Sequence, residues 1–190
     1  MDPEKARQTT EKIMAYYELR GGEAYAGEKV SQLEHMVQAA ELAEAQGQES
    51  DVILSAFLHD IGHICEDGHG DNEMGEFGIL DHEAIGGAFL AKNGFSPKVS
   101  RLVESHVEAK RYLTFRYPEY FARLSEASRK TLEFQGGRMD AEEAAAFEQQ
   151  PLFSLIIQMR RWDEEAKVEH KPLPDLNRYK AMIYDHLLAQ

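Results

Sequence analysis

Apolar residues recur along this chain at helical spacing and nowhere alternate with period 2 for long, so the pattern predicts helices and no sheet. Asp2-Pro3 supplies a capping acceptor and a first-turn proline, and the helix they open runs to the Gly21-Gly22 stop. A short mixed stretch, residues 23–30, follows. Ser31-Gln32-Leu33-Glu34 then reads as a capping box, with Leu33, Met36, Val37 and Ala40 at helical spacing up to a stop near Gly47. Ser50 is expected to cap a third helix whose Val52, Ile53, Leu54, Ala56, Phe57 and Leu58 go nearly all round, which marks a helix buried on most sides. That helix stops at Gly62 and carries His59 and Asp60 in its last turns.

Residues 64–80 are rich in Gly, Asp and Glu without a sustained period, and read as a long functional loop. Asp81 is expected to cap a helix ending at Asn93-Gly94. Ser96-Pro97 opens another, in which Val99, Leu102, Val103, His106 and Lys110 share one stripe. After Tyr117-Pro118 come shorter helical pieces over 119–124 and 126–134, a Gly136-Gly137 break, an Asp140-capped helix, a strong helix over 152–167, and a C-terminal helix from Asp175. No repeat and no linker divides the chain, so residues 1–190 are expected to form a single all-α domain, a helical bundle.

Composition narrows the possible partners. With 21 Lys+Arg against 34 Asp+Glu the net charge is −13, and the long-range field repels phosphate backbones and anionic lipid surfaces. Nucleic acid and membrane are therefore not expected partners. Cys65 is the only cysteine and forms no bridge within the chain, and the longest strongly apolar run, residues 52–58, is too short to span a bilayer. A cytoplasmic protein is expected.

The histidines carry the chemistry. Four consecutive helical elements each offer an imidazole: His35, His59, His82 and His106, with Asp60 beside His59 and Asp163 far downstream. Neighbouring residues on a helix point about 100° apart. His59 and Asp60 can thus meet one centre only where the helix loosens, as it does near a C-terminus. Six N/O donors exceed what one structural zinc takes, and clustered thiolates are lacking, so two metals bridged by a carboxylate fit better. Asp60, between the two donor groups in sequence, is the natural bridge. Imidazole and carboxylate suit iron, manganese or zinc alike.

These residues resemble the HD-domain superfamily of all-α metal proteins, and the added His82 and His106 resemble its branch of mixed-valence di-iron oxygenases. That branch includes relatives of myo-inositol oxygenase and phosphonate-cleaving enzymes. The likeness to the phosphonate-cleaving members covers nearly the whole chain, including Tyr25-Ala26-Gly27-Glu28, the block from His106 to Leu113, the block from Ser125 to Glu133, and Arg160-Arg161-Trp162-Asp163-Glu164. It implies a first iron on His35, His59, Asp60 and Asp163, and a second on Asp60, His82 and His106. Tyr25 and Glu28 match the tyrosine and glutamate that act beside the metals, and His63, Lys110, Ser128 and Arg160 match the residues that hold the phosphonate. Lys110 lies four residues after His106 and Arg160 three before Asp163, so each cation shares a helix face with a ligand.

The activity implied is cleavage of a C–P bond with O2 by a mixed-valence Fe(II)/Fe(III) pair. The substrate would be 1-hydroxy-2-(trimethylammonio)ethylphosphonate or 2-amino-1-hydroxyethylphosphonate, and the products phosphate and glycine betaine or glycine. Tyr25, Tyr112 and Phe77 are candidate faces for a quaternary ammonium, with Glu28 as its counter-charge, and the trimethylated substrate is the expectation. The alternative is a metal-dependent HD phosphohydrolase, in which metal-bound water attacks phosphorus. A silent HD-fold binding module is the other rival, and the complete set of six ligands argues against it.

Overall fold

The computed structural model describes residues 1–25, 27–65, 74 and 78–190, which hold eleven α-helices and, apart from one isolated bridge between Ala24 and Ser31, no strand. The acidic residues Glu66, Asp67, Asp71, Glu73 and Glu76, together with Ala26 and Phe77, lie outside the described residues, as does most of the expected 64–80 loop. Helix α1 is Pro3–Arg20, α2 Gln32–Ala45 and α3 Ser50–Leu58, followed by a 3-10 turn at Ile61–His63. Next come α4 (His82–Lys92), α5 (Pro97–Glu104), α6 (His106–Arg116), α7 (Pro118–Arg123) and α8 (Glu126–Phe134). The last three are α9 (Ala141–Glu148), α10 (Phe153–Glu165) and α11 (Asn177–Leu188).

Most starts follow the residues that predicted them. Asp2 caps α1, Ser31 and Glu34 form the expected capping box of α2, and Ser96 accepts from the Val99 N–H. Ser50 is the first residue of α3 and not its cap, since Glu49 holds that place without a side-chain bond. Asp81 precedes α4 in the left-handed conformation, φ 60°, and makes no side-chain cap, because its tolerance of that conformation is spent on turning the chain.

The expected continuous helix from Ser96 through Lys110 is two helices. At Ser105, φ −101° and ψ −6°, the backbone N–H turns to the Leu102 carbonyl and leaves the α-helical ladder, and the chain re-enters helix at His106. The apolar stripe survives the break, with Val99, Leu102, Val103, His106 and Lys110 all buried.

Helix α2 packs on α3, α4 on α5, and α10 lies across both α2 and α6, while α11 covers α1. One apolar cluster reaches from Ala6 to Leu187, with Trp162 of α10 fully buried in it. A column of rings joins three helices: Tyr17 stacks on Phe57 at 4.6 Å, and Phe57 on Tyr179 at 4.3 Å. The Tyr17 hydroxyl donates to the Phe57 carbonyl at 2.7 Å, satisfying an acceptor in the last turn of α3, just before His59. Tyr17→Phe is expected to lower stability by about 1–2 kcal/mol, read from the urea midpoint; an unchanged midpoint would mean this bond contributes nothing.

Candidate metal centre

Helix α3 ends at Leu58, and Asp60 leaves helical geometry at φ −105°, ψ 17°. This is the loosening that lets adjacent His59 and Asp60 face one centre. His35 arrives from the first turn of α2, His82 and His106 are the first residues of α4 and α6, and Asp163 comes from the last turns of α10. All six are buried.

Their donor atoms divide into two sets. His35 Nε2 lies 3.0 Å from His59 Nε2, 3.5 Å from Asp60 Oδ2 and 3.3 Å from Asp163 Oδ1, and His59 Nε2 is 3.4 Å from Asp60 Oδ2. On the other side, Asp60 Oδ1 is 3.4 Å from both His82 Nε2 and His106 Nε2, which are 2.9 Å apart. Two ligands about 2.1 Å from one ion and about 90–110° apart would be separated by about 3.0–3.4 Å. Each oxygen of Asp60 thus belongs to a different set.

The hydrogen bonding fits cations between these atoms. Every imidazole spends its Nδ1–H on a backbone carbonyl: His35 on Ala166 at 2.9 Å, His59 on Ala56 at 2.8 Å, His82 on Ile79 at 3.1 Å and His106 on Val103 at 2.8 Å. That fixes the tautomer and turns four Nε2 lone pairs inward, an arrangement typical of metal-ligating histidines. Lone pairs facing one another at such distances repel unless a positive charge stands between them. Asp60 Oδ2 and Asp163 Oδ1 are also buried without a hydrogen-bond partner, as ligands to a metal would be.

The electrostatics agree. Burial pushes the His35 imidazole down, but the Asp163 and Asp60 carboxylates outweigh it and lift it to about 9, so this point favours positive charge. Burial, together with neighbouring His82, pushes His106 down to about 3 and keeps it neutral. Burial would raise Asp60, yet His59, His35 and His82 hold it well below the usual carboxylate range. The thiolate-free set of four imidazoles and two carboxylates suits two first-row transition ions.

A cavity of about 50 Å³ opens beside the second set. Tyr25, Glu28, His63, Lys110, Ser128 and Arg160 all line it, so the residues expected to act beside the metals and those expected to hold the phosphonate meet there. Tyr25 and Glu28 are delivered by a tight turn, in which Tyr25 N–H bonds Val30 and Glu28 N–H bonds Tyr25, both at 2.9 Å. The Tyr25 ring stacks on His35 at 3.9 Å. Lys110 and Arg160 are only 3% and 4% exposed, so neither lies on a solvated face. Glu108 pairs with Arg101, whereas Arg160 is held by Asp163, Glu164 and Tyr120.

His63 stacks on His82 at 4.0 Å, and its Nδ1 accepts from the Ile79 N–H at 3.3 Å, which leaves Nε2 as the donor. Burial, reinforced by His82, holds its pKa well below the ordinary value. It also lies within ligand distance of Asp60 and His82, so its position allows either role. Gly78, at φ 90°, lets the chain pass the ring, since a Cβ there would sit 2.8 Å from His63 Cε1.

Several lining residues had no role read from the sequence, Thr131 and Lys167 among them. Thr131 accepts from Lys110 Nζ at 3.0 Å, and Lys167 binds Glu28 at 2.6 Å. An i,i+3 spacing from Ser128 could have flagged Thr131. Nothing local flags Lys167, which follows the end of α10. Tyr112 is not at the site: it bonds Glu148 at 2.6 Å and packs against Phe147 and Phe153.

The HD domain family matches residues 33–151, a span that includes five of the six donors and stops short of Asp163. A [1-hydroxy-2-(trimethylamino)ethyl]phosphonate dioxygenase (glycine-betaine-forming) of Leisingera caerulea is 42% identical over 176 residues, covering 90% of this chain and 86% of its own. A hydroxymethylphosphonate dioxygenase of Gimesia maris is 40% identical over 177 residues, covering 91% and 87%. A protein of Acanthamoeba polyphaga mimivirus without an assigned activity is 42% identical over 184 residues, covering 97% and 84%. No described helix is long and apolar enough to cross a membrane.

Proposed function

Because the chain belongs to the HD-domain family, we propose that it is a dioxygenase that uses two iron ions and O2 to break the C–P bond of a 1-hydroxyphosphonate. One observation carries the reading: Asp60 turns its two oxygens toward two donor sets, and three of the other donors, His82, His106 and Asp163, line a cavity together with the buried Lys110 and Arg160. The first ion would be held by His35, His59, Asp60 and Asp163, and the second by Asp60, His82 and His106. When bound, they supply Lewis acidity and redox capacity for the four-electron reduction of O2. The balance is R–CH(OH)–phosphonate plus O2 giving R–COOH plus phosphate, with the four electrons drawn from the substrate carbon.

The protein's own groups orient the phosphonate. Lys110 Nζ, the Arg160 guanidinium, the His63 Nε2–H and the Ser128 hydroxyl line the cavity and would offer donors to its oxygens. Arg160 is locked by Nε bonds to Glu164 at 2.8 Å and Tyr120 at 3.1 Å, so its geometry is set before the substrate arrives. Met74, Val107 and Ala127 supply an apolar lining that limits water around the reacting carbon. Tyr25, over the His35 ring, and Glu28 also line the cavity and would meet the substituent R. The trimethylammonio and amino substrates would present their cation there, with Glu28 as the facing carboxylate.

The test is phosphate release by iron-loaded protein from 1-hydroxyphosphonates, with and without O2. The reading requires one O2 consumed per phosphate and nothing released under nitrogen. Phosphate released from esters under nitrogen would instead make the protein a hydrolase.

Lys110→Ala is expected to keep its iron and lose about 10- to 100-fold in kcat/KM, mostly through KM. The pH dependence has a definite sign. Burial, then repulsion from Arg160, holds the Lys110 ammonium down to about 7, so the charge is present below that pH and lost above it. In wild type kcat/KM should therefore fall as pH rises through about 7, and in Lys110→Ala that limb should vanish. A limb that persists in the variant assigns it to another group.

A further inference from the structure

Resting on the reading just given, we propose that Lys167 is a specificity determinant that turns this site against cationic substituents and toward 1-hydroxyphosphonates whose other end is uncharged. Among the described lining residues, Glu28 is the only carboxylate outside the two donor sets, and so the only fixed counter-charge for an ammonium group. It is already engaged: Lys167 Nζ lies 2.6 Å from Glu28 Oε1, with the two side chains only 19% and 16% exposed. A partly buried ion pair is costly to separate, and a cation entering here would also face the like charge of Lys167.

Lys167 is held in place and does not wander as a surface lysine would. The residues on either side are fastened to α2: the Ala166 carbonyl accepts from His35 Nδ1 at 2.9 Å, and Val168 exchanges bonds with the Gln38 side chain at 2.9 and 3.1 Å. The same placement sets its ammonium 5.8 Å from the centre of the Tyr25 ring. One face of Tyr25 therefore stacks on His35, and the aromatic contact that a quaternary ammonium would seek is shared with Lys167. Tyr112 points elsewhere, and among the described lining residues Tyr25 is the only phenylalanine, tyrosine or tryptophan.

The experiment measures kcat/KM of iron-loaded wild type, Lys167→Met and Lys167→Arg for hydroxymethylphosphonate, 2-amino-1-hydroxyethylphosphonate and its trimethylammonio analogue. Wild type should prefer hydroxymethylphosphonate. Lys167→Met should raise the cationic-to-neutral ratio at least about tenfold, and Lys167→Arg, which can still pair with Glu28, should restore the wild-type ratio. Iron content and melting temperature identify a variant that has simply misfolded, in which case the wild-type preference and Lys167→Arg still decide. A wild-type preference for either cation, or a ratio unmoved by Lys167→Met, would overturn the role of Lys167. Absence of O2-dependent phosphate release from all three substrates would overturn the dioxygenase reading itself.

Discussion

Asp60→Ala is expected to strip both metal ions from the protein and abolish turnover. Asp60 Oδ2 lies 3.5 and 3.4 Å from the His35 and His59 nitrogens, and Oδ1 lies 3.4 Å from those of His82 and His106. One truncation therefore removes a ligand from both donor sets. The second set is left with two neutral imidazoles, and the first keeps Asp163 as its only anion. Bound iron should fall from about two per chain to near zero on metal analysis, with no measurable phosphate release. Ligand histidines at unchanged positions would still face one another, so a drop in melting temperature should accompany the loss. A variant that retains two irons would show that Asp60 is not the bridge.

Gly62→Ala should break the second donor set without replacing a ligand. A Cβ on Gly62 would stand 1.9 Å from the His82 carbonyl oxygen, 2.8 Å from its carbon and 3.0 Å from the Gly86 nitrogen. These are backbone atoms, which give way only if the start of α4 moves, and His82 is the first residue of that helix. The expected result is a loss of about 1–3 kcal/mol in stability from overpacking, with bound iron reduced toward one per chain because His82 leaves its place. Gly22→Ala is the control, since nothing lies within 4 Å of a Cβ there. Melting curves and metal content that match wild type in Gly62→Ala would mean the turn and α4 are less tightly coupled than their contact implies.

Much of this was legible in the sequence because helices announce their ends and their buried faces. The caps at Asp2, Ser31 and Ser96 start the helices they predicted, and the all-round apolar α3 is the central buried element. The six donors converge because each sits at or near a helix end, where local sequence signals are strongest. Features set by contacts distant in sequence were not legible. The break at Ser105 has no local signal, since Ser55 makes the same hydroxyl bond four residues back inside an unbroken α3. Tyr112 sits two residues past Lys110, about 200° around α6, so it faces α9 while Lys110 faces the cavity. Lys167 reaches Glu28 across 139 positions of chain, through a segment that follows a helix end and has no period of its own.

The central claim is that two irons share Asp60 in a pocket that binds a 1-hydroxyphosphonate. The most direct measurement is low-temperature electron paramagnetic resonance of protein loaded anaerobically with ferrous iron and partly oxidised, recorded before and after adding hydroxymethylphosphonate. The account predicts a coupled Fe(II)/Fe(III) signal that changes shape when the phosphonate binds. Signals of isolated ferric ions only, indifferent to the phosphonate, would contradict it.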